Sequence, residues 1–354
     1  YVKSAGNGFG RFGAASCSAA NTIGISCQNT SMDTINALPQ NITVGALGAN
    51  GQRASYSTAG SAIWVSAPGG EFGLDTNFIA FSNDAPAMMT TDQSGCSQGY
   101  VRSSVTNPRN AFQDARSSTH AENLDCNYTS TFNGTSSAAP VLSGAIALIL
   151  EANPALTWRD VKHILASTST QVDASIAPLS VALGDGNYIA EPAYTTNAAG
   201  FTFHNWYGFG RVDVSAAVSL AKTMTPDNFG TFTETAYASS GTINLAIPDN
   251  STAGAVNLIT DSNGLVIEAI KLRVIASHTY SGDLGVELTS PSGTRSVLFT
   301  IRNGFSGSND LNFELLSNAF YGEHSSGVWT IKVVDGAAGD TGTLTSWGLQ
   351  IYGH

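Results

Sequence analysis

A run of small residues directly before a long apolar stretch constrains this chain most. Residues 133–140 read N-G-T-S-S-A-A-P, and an apolar stretch follows up to Leu150. Pro140 is tolerated in the first turn of a helix, so a helix is predicted to begin at Ser136. A serine there has an exposed hydroxyl, small neighbours and backbone N–H groups that favour an anion. The pattern indicates a nucleophilic serine beside an oxyanion site. A buried helix entered through a tight turn is the alternative.

Several segments resemble one protein family, in the family's order along the chain. G-T-S-S-A-A-P at 134–140 resembles the nucleophile motif of the subtilisin-like serine proteases. S-A-G-N-G at 4–8 resembles their oxyanion-hole asparagine segment, and A-P-G at 67–69 resembles a turn between the two. Y-G-F-G-R-V-D at 207–213 resembles the segment that closes the catalytic domain, and L-T-W-R-D-V at 156–161 is most similar to kexin and furin. The resemblance implies a subtilisin-like parallel-sheet α/β fold.

Residues 1–225 carry an α/β pattern. Short apolar runs at 41–47 and 62–66, bounded by Gly, Ser and Pro, are typical of buried strands in a largely parallel sheet. Three helices are predicted after them: the first is expected to be apolar on all sides and central, and the second has Thr157 as N-cap. Residues 68–133 are polar and irregular, which is typical of surface loops around a cleft.

The hydrophobic period changes at about Pro226. Over 226–354 apolar and polar residues alternate between short turns, as at 270–274, which predicts an all-β sandwich and a second domain. H-T-Y-S-G-D-L at 278–284 and G-T-L-T-S-W at 342–347 resemble the P domain of kexin and furin, which in that family supports folding of the catalytic domain. A carbohydrate-binding module is the alternative for a small sandwich.

Charge and hydropathy exclude some partners. The chain has 26 acidic and 15 basic residues among 354, a formal net charge of −11, and no basic stripe. We therefore expect no nucleic-acid partner. No run reaches the roughly 18 apolar residues of a membrane span, so we expect no membrane partner. A length of 354 residues suffices for two separately packed domains.

The resemblance assigns roles to residues of the nucleophile region. Ser136 would be the nucleophile, and its own N–H together with the Asn7 side-chain amide would hold the oxyanion. Gly134 and Thr135 would lie against the substrate. A turn residue suited to positive φ is the alternative explanation for Asn7.

The other two members of a catalytic triad have no counterpart in this sequence. In the family an Asp and then a His in an H-G-T-type segment precede the Asn7 segment, and nothing here resembles either. His120, His163 and His204 are interpreted as surface or packing residues. We therefore expect that about the first half of the protease domain is absent, and that this polypeptide alone is inactive.

Specificity and metal binding are implied only by the resemblance. Residues 33–44 align without gaps with the kexin and furin stretch whose leading aspartate lies in the S1 pocket, so Asp33 would pair with a substrate Lys or Arg. An ordinary loop aspartate is the alternative. Structural calcium is implied as well, but 11–16 and 56–59 offer no clear counterparts of its ligands, so no metal ligand is assigned. No cofactor is expected for the chemistry.

The four cysteines predict an oxidising compartment. Cys17 with Cys27 and Cys96 with Cys126 is the local pairing that we favour, while two other connectivities and four reduced thiols stay open. No C-x-x-C spacing is present, which argues against zinc. We therefore predict a secreted or extracytoplasmic protein.

These observations favour a kexin-like serine endopeptidase that acts on polypeptides through an acyl-enzyme. A propeptide or the missing N-terminal half is a further expected partner. Two alternatives stay open: a specificity nearer to the general subtilisins, and a catalytically inactive chain that acts as a binding or folding module. The presence of both Asn7 and Ser136 argues against the inactive form.

Overall fold

The computed structural model describes residues 1–10, 17–80, 85–305, 307 and 310–354. In these ranges the α-helices are α1 (Ser18–Thr22), α2 (Thr135–Ala152), α3 (Trp158–Thr168) and α4 (Val214–Ala221). The strands of the first part are β1 (Val2–Ser4), β2 (Ile42–Leu47), β3 (Ile63–Pro68), β4 (Met88–Thr91), β5 (Tyr128–Phe132), β6 (Leu179–Leu183), β7 (Gly186–Glu191), β8 (Thr195–Thr196) and β9 (Thr202–Phe203). The later strands are β10 (Thr233–Glu234), β11 (Ala238–Ser239), β12 (Leu245–Ile247), β13 (Ala255–Asp261), β14 (Ile267–His278), β15 (Leu284–Thr289), β16 (Arg295–Phe299), β17 (Leu311–Ser317), β18 (Gly327–Asp335) and β19 (Gly342–Gly353).

A parallel sheet in the order β1-β2-β3 positions the site. Val2 pairs with Ile42, and Val44 pairs with Val65. All six residues of β2 and the first five of β3 are buried, as expected for apolar strands covered on both faces. The parallel sheet predicted from the sequence is confirmed. Within the described residues β1 pairs only with β2, so its other edge is open.

The central helix α2 buries one face and exposes the other. Leu142 and Ile149 are fully buried, whereas Leu148 and Leu150 are 48% and 37% exposed. The expectation of a helix buried on all sides is therefore wrong, because no described element covers the face that carries Leu148. By length and composition α2 would also suit a membrane span, but a third of it is buried inside the protein, against β2 and β3.

The helix signals of the first part agree with the structure. Thr157 caps α3 in a capping box with Asp160, in which each side chain bonds the other residue's backbone N–H. Asp213 caps α4 by accepting the N–H of Ala216.

Two disulfides constrain loops of the first part. Cys17 is bonded to Cys27, and Cys96 to Cys126. This is the local pairing favoured from the sequence. The second bond closes a loop within residues 68–133, a segment in which β4 and β5 pair antiparallel.

Residues from Thr233 onward form a β-sandwich, as predicted. One sheet has the order β10-β19-β14-β17, with β11 and β12 also on β19, and the other has the order β13-β18-β15-β16. Trp329 and Trp347 are 0% and 2% exposed, with their ring N–H groups bonded to Ser325 and Asn257. Both tryptophans therefore belong to the core, and neither forms a surface for stacking on sugars.

A buried interface joins α3 to the sandwich. Arg159 Nη2 lies 2.5 Å from Glu268 Oε1, and Nε lies 3.0 Å from both carboxylate oxygens. His354 Nδ1 lies 2.9 Å from the same Oε1. Ala319 and Tyr321 pack into the core of the first part. The two parts therefore share packed surface as well as chain connection.

Candidate active site

Asn7 lies in a glycine-bounded turn at the carboxyl end of β1. Gly6 has φ of 106°, a backbone conformation that residues other than glycine rarely adopt. Two hydrogen bonds join this turn to Thr58. The Thr58 N–H donates to the Gly6 carbonyl over 2.9 Å, and the Thr58 Oγ1 accepts the Gly8 N–H over 2.8 Å. The backbone of this turn is therefore fixed on both sides of the exposed Asn7 side chain.

Thr135 fixes the direction of the Asn7 amide. Its backbone N–H and its hydroxyl both donate to Asn7 Oδ1 over 2.9 Å. Thr135 Oγ1 in turn accepts the Gly6 N–H over 3.1 Å. Because Oδ1 is occupied by two donors, Nδ2 is directed to the opposite side as a donor. Thr135 is 1% exposed and its side chain bonds Asn7 and Gly6, and its contact with substrate stays a prediction.

The first turn of α2 leaves a donor free at Ser136. The N–H groups of Ser137 and Ala138 both donate to the Gly134 carbonyl, over 2.9 and 3.3 Å. Ser136 is exposed, and its N–H has no acceptor among the described residues, as expected for a residue in the first turn of a helix. Gly134 has φ of 103°, which brings the chain into the helix through a tight turn.

The Asn7 amide nitrogen and the Ser136 backbone nitrogen both lie close to Gly134. A methyl group placed on Gly134 would lie 3.2 Å from Asn7 Nδ2 and 3.6 Å from the Ser136 backbone nitrogen. The two nitrogens are thus close neighbours at the positive end of an 18-residue helix, a location suited to a developing oxyanion. The structure therefore brings together the two residues that the sequence placed in the oxyanion hole.

An open cleft of about 660 Å³ adjoins these residues. Its lining includes Asn7, Gly134, Tyr56, Phe72, Leu74 and Arg109. Phe72, Leu74 and Arg109 come from residues 68–133, which the sequence predicted to surround a cleft. Tyr56 was not singled out from the sequence, because nothing near it indicates a contact with a turn so much later in the chain.

Asp33 lies beside β1 and is not among the described residues that line this cleft. Its Oδ2 is 3.5 Å from Lys3 Nζ, and both side chains are substantially exposed, 43% for Asp33 and 33% for Lys3. Its Oδ1 accepts the N–H of Ile35 over 2.8 Å. Asp33 therefore flanks the strand that leads to Asn7, and its ion pair with Lys3 is exposed to solvent.

The three histidines interpreted from the sequence as surface or packing residues have contacts away from Ser136. His163 Nδ1 lies 3.0 Å from the Tyr321 hydroxyl, and burial lowers the His163 pKa. His204 Nδ1 accepts the Trp206 N–H, and burial, with a smaller effect of the Arg53 charge, lowers the pKa of His204 to about 3. The His120 ring packs on Phe112 with centroids 5.3 Å apart.

The described residues do not fit a calcium site. Calcium takes six to eight oxygen ligands, commonly including carboxylates. In the described part of the chain no three His, Cys, Asp or Glu side chains are grouped to hold a metal. Within 56–59, Ser57 Oγ and Thr58 Oγ1 already accept backbone N–H groups. Residues 11–16 lie outside the described residues. No step of the chemistry is therefore assigned to calcium.

The fold and the site together define a class of protein. A parallel α/β sheet places an asparagine amide close to a serine in the first turn of a helix, beside a cleft that Asn7 and Gly134 line, and an antiparallel sandwich is packed against the same unit. Residues 1–210 match the model of the subtilase family, and residues 267–351 match that of the proprotein convertase P-domain. The chain belongs to the subtilase family. Both matches confirm the resemblance found in the sequence.

Known relatives extend beyond this chain. An Aeromonas sobria protein named Aeromonas extracellular serine protease is 33% identical over 402 residues, which cover 100% of this chain and 62% of the relative. A calcium-dependent protease of Nostoc sp. is 30% identical and covers 88% of this chain and 40% of the relative. A crystal structure of the A. sobria serine protease with a chaperone has a TM-score of 0.86 and 32% identity, covering 100% of this chain and 64% of that chain. The chain thus spans less than two thirds of these relatives.

Proposed function

We propose that this chain belongs to a serine endopeptidase in which Ser136 is the nucleophile. The observation that carries the proposal is that the Asn7 amide nitrogen and the Ser136 backbone nitrogen both lie close to Gly134, which lines the cleft together with Asn7. A peptide carbonyl oxygen bound by both nitrogens would receive two hydrogen bonds, which strengthen as negative charge develops on it.

The reaction would proceed through an acyl-enzyme. Ser136 Oγ attacks the carbonyl carbon while its proton passes to a base, and the charge on the carbonyl oxygen is held by Asn7 and the Ser136 N–H. The tetrahedral species then expels the amine, which takes the proton from the base, and an ester remains on Ser136. Water, deprotonated by the same base, hydrolyses the ester and restores the hydroxyl.

The base is proposed to lie outside these 354 residues. No contact joins a histidine ring to Ser136 in the part of the chain that the structure describes, and a serine hydroxyl needs such a partner at neutral pH. Without that base, the 354-residue chain is expected to hydrolyse peptides far more slowly than the longer enzyme.

We assign residues 1–225 to the catalytic unit and residues 226–354 to a P domain that supports it. The support for this division is that the last described helix of the first part ends at Ala221 and the antiparallel sheets begin at Thr233. The buried ion pair of Arg159 with Glu268 joins the sandwich directly to α3.

A preference for basic P1 residues is the finer part of the proposal. Asp33 carries an exposed carboxylate and pairs with Lys3 of β1, which lies four residues before Asn7. Its pair with Lys3 is worth only about 0–1 kcal/mol, as is usual for exposed ion pairs. A substrate guanidinium could therefore replace Lys3 and form a bidentate contact.

An extracytoplasmic location and a chaperone-type partner complete the proposal. Two disulfides support an oxidising compartment. The A. sobria serine protease has been crystallised with a chaperone, and a comparable folding partner is proposed for this protein.

Peptide hydrolysis tests the proposal directly. The longer polypeptide that contains these residues would be assayed on peptide amides with Arg, Lys or Leu at P1, with Ser136→Ala and Asp33→Ala as variants. We expect Ser136→Ala to abolish hydrolysis, and Asp33→Ala to lower kcat/KM for Arg and Lys while sparing Leu. Absence of hydrolysis in the parent protein would favour the alternative of a binding or folding module. Indifference to Asp33→Ala would remove the basic S1 assignment alone.

A further inference from the structure

The Tyr56 hydroxyl joins two turns of the site. It accepts the N–H of Gly134 over 2.8 Å. It also donates to the carbonyl of Gly70, with the Gly69 carbonyl 3.0 Å away. One hydroxyl thus acts as both acceptor and donor between the turn that enters α2 and the turn that follows β3.

The backbone of Tyr56 contacts a third turn. Its carbonyl accepts the N–H of Phe9 over 3.1 Å, two residues after Asn7. The same residue is therefore bonded to the segment that carries the asparagine amide and, through its side chain, to the segment that carries the serine.

The orientation of the Gly134 peptide unit determines the geometry of the first turn of α2. Its carbonyl accepts the N–H groups of both Ser137 and Ala138, so the orientation of this peptide unit sets the first turn of α2. Gly134 is buried, so its own N–H would lose its partner if the Tyr56 hydroxyl were removed. The direction of the free Ser136 N–H follows from this turn.

We propose that the Tyr56 hydroxyl is a positioning group that holds the Gly134 turn, and through it the Ser136 N–H, in register with the Asn7 amide. This inference rests on the proposed peptidase function. The aromatic ring has a separate role, because it lines the cleft and meets Phe72 edge to face with centroids 5.8 Å apart. A phenylalanine at this position would keep that wall and remove only the hydroxyl.

Kinetics of Tyr56→Phe in the longer polypeptide test this role. Since small misplacements of reacting groups can cost up to about 100-fold, we expect kcat to fall roughly 10- to 100-fold while KM changes less than about twofold. Tyr194→Phe is the matched control: its hydroxyl donates to the Val172 carbonyl over 2.9 Å, in contact with none of the three turns. Its kcat should equal that of the parent.

Hydrogen exchange provides a readout that needs no catalysis. In Tyr56→Phe, the peptide covering residues 133–137 should exchange faster than in the parent, and in Tyr194→Phe it should not. Parental kcat together with parental exchange in Tyr56→Phe would overturn the inference. If no form of the protein hydrolyses peptides, the proposed function fails, whereas faster exchange confined to Tyr56→Phe would still support the positioning role.

Discussion

Residue by residue, the candidate site depends on how the Asn7 amide is held. Two donors from Thr135 occupy Oδ1, so the amide cannot rotate without leaving a buried donor unpaired. Thr135 also directly precedes Ser136 in the sequence. The oxyanion donors are therefore coupled, because one threonine orients the first of them and precedes the second.

Asn7→Ala is expected to lower kcat by about 100- to 1000-fold, the usual effect of removing one oxyanion donor, with KM little changed. Thr135→Val should give a smaller loss of kcat, because the backbone N–H of residue 135 still bonds Oδ1. Steady-state kinetics of the longer polypeptide on a peptide amide would measure both. Asn77→Ala is the control, since Asn77 is exposed and bonds Asp75 in a surface turn. Equal kcat for Asn7→Ala and Asn77→Ala would exclude the oxyanion role.

Glu191 predicts a pH dependence of stability. Its Oε1 is buried without a partner among the described residues, and burial raises its pKa from 4.5 to about 8, against the opposing effects of Asn205, Arg295 and Arg53. Because the folded state binds this proton more tightly than the unfolded state, the Glu191 contribution to stability is lost as pH rises from about 4.5 to about 8.

Glu191→Gln should therefore match the parent at about pH 5 and be more stable above about pH 8. Urea denaturation at several pH values would measure this. Glu122→Gln, in an exposed loop, should show no such divergence. A constant difference between Glu191→Gln and the parent across pH would contradict the buried, protonated state.

Ser136 and Asn7 could be singled out from the sequence because each lies in a short run of characteristic neighbours, and their catalytic roles stay predictions. The contact of Thr135 with Asn7 and the contacts of Tyr56 could not be predicted in the same way. Both depend on which way a side chain points after the sheet has brought distant segments together, and periodicity carries no information about that. The placement of Asp33 beside Lys3 is likewise set by tertiary structure.

Among the elements, α3 is the one whose local signals agree most fully with its structure. Thr157 and Asp160 satisfy each other's backbone donors, and the Asp160 carboxylate also accepts the N–H of Asp227. The N-terminus of α3 is thereby tied to the segment that leads into the sandwich. The α2 helix shows the opposite case: composition predicted burial on all sides, whereas burial depends on what the neighbouring segments cover.

Thr157→Ala should lower the free energy of unfolding by about 1 kcal/mol, the usual effect of losing an N-cap. Chemical denaturation of the 354-residue chain would measure it. Thr223→Ala is the control, because that hydroxyl bonds only the Leu220 carbonyl within its own turn. A loss at Thr157 no larger than that at Thr223 would show that the capping box adds little.

For the whole molecule, the contact between α3 and the sandwich holds the two parts together. Arg159 and Glu268 are 5% and 8% exposed, so neither charge is solvated if its partner is removed. His354 adds a third group on the same carboxylate. The sandwich thus stabilises the helix that packs behind the parallel sheet.

Glu268→Ala should destabilise the protein by about 3–5 kcal/mol, because it leaves Arg159 buried and unpaired. The double change Arg159→Met with Glu268→Met should recover most of that loss. Glu314→Ala is the control, since its pair with Lys271 is long, 3.6 Å, and Glu314 is half exposed. Thermal and urea unfolding would measure all three. A loss for Glu268→Ala as small as that for Glu314→Ala would show that the interface pair is dispensable.

The open edge of β1 and the uncovered face of α2 predict self-association of this chain. Leu150 and Trp158, 37% and 39% exposed, line a groove with Val2 of β1, and Leu148 on the same helix α2 is 48% exposed. Light scattering coupled to size exclusion should show a mass that rises with concentration, and Leu148→Lys should reduce it. Leu124→Lys, on the loop at 64% exposure, should not. A monomer at all concentrations with a cooperative melt of both parts would contradict this expectation.

Covalent labelling by a serine-directed phosphonofluoridate tests the central claim most directly. In the longer polypeptide, mass spectrometry should find the phosphonyl group on Ser136, with slower labelling in Asn7→Ala and none at this position in Ser136→Ala. Labelling confined to another serine, or peptide hydrolysis undiminished in Ser136→Ala, would show that the two neighbouring donors do not serve a nucleophile at this position.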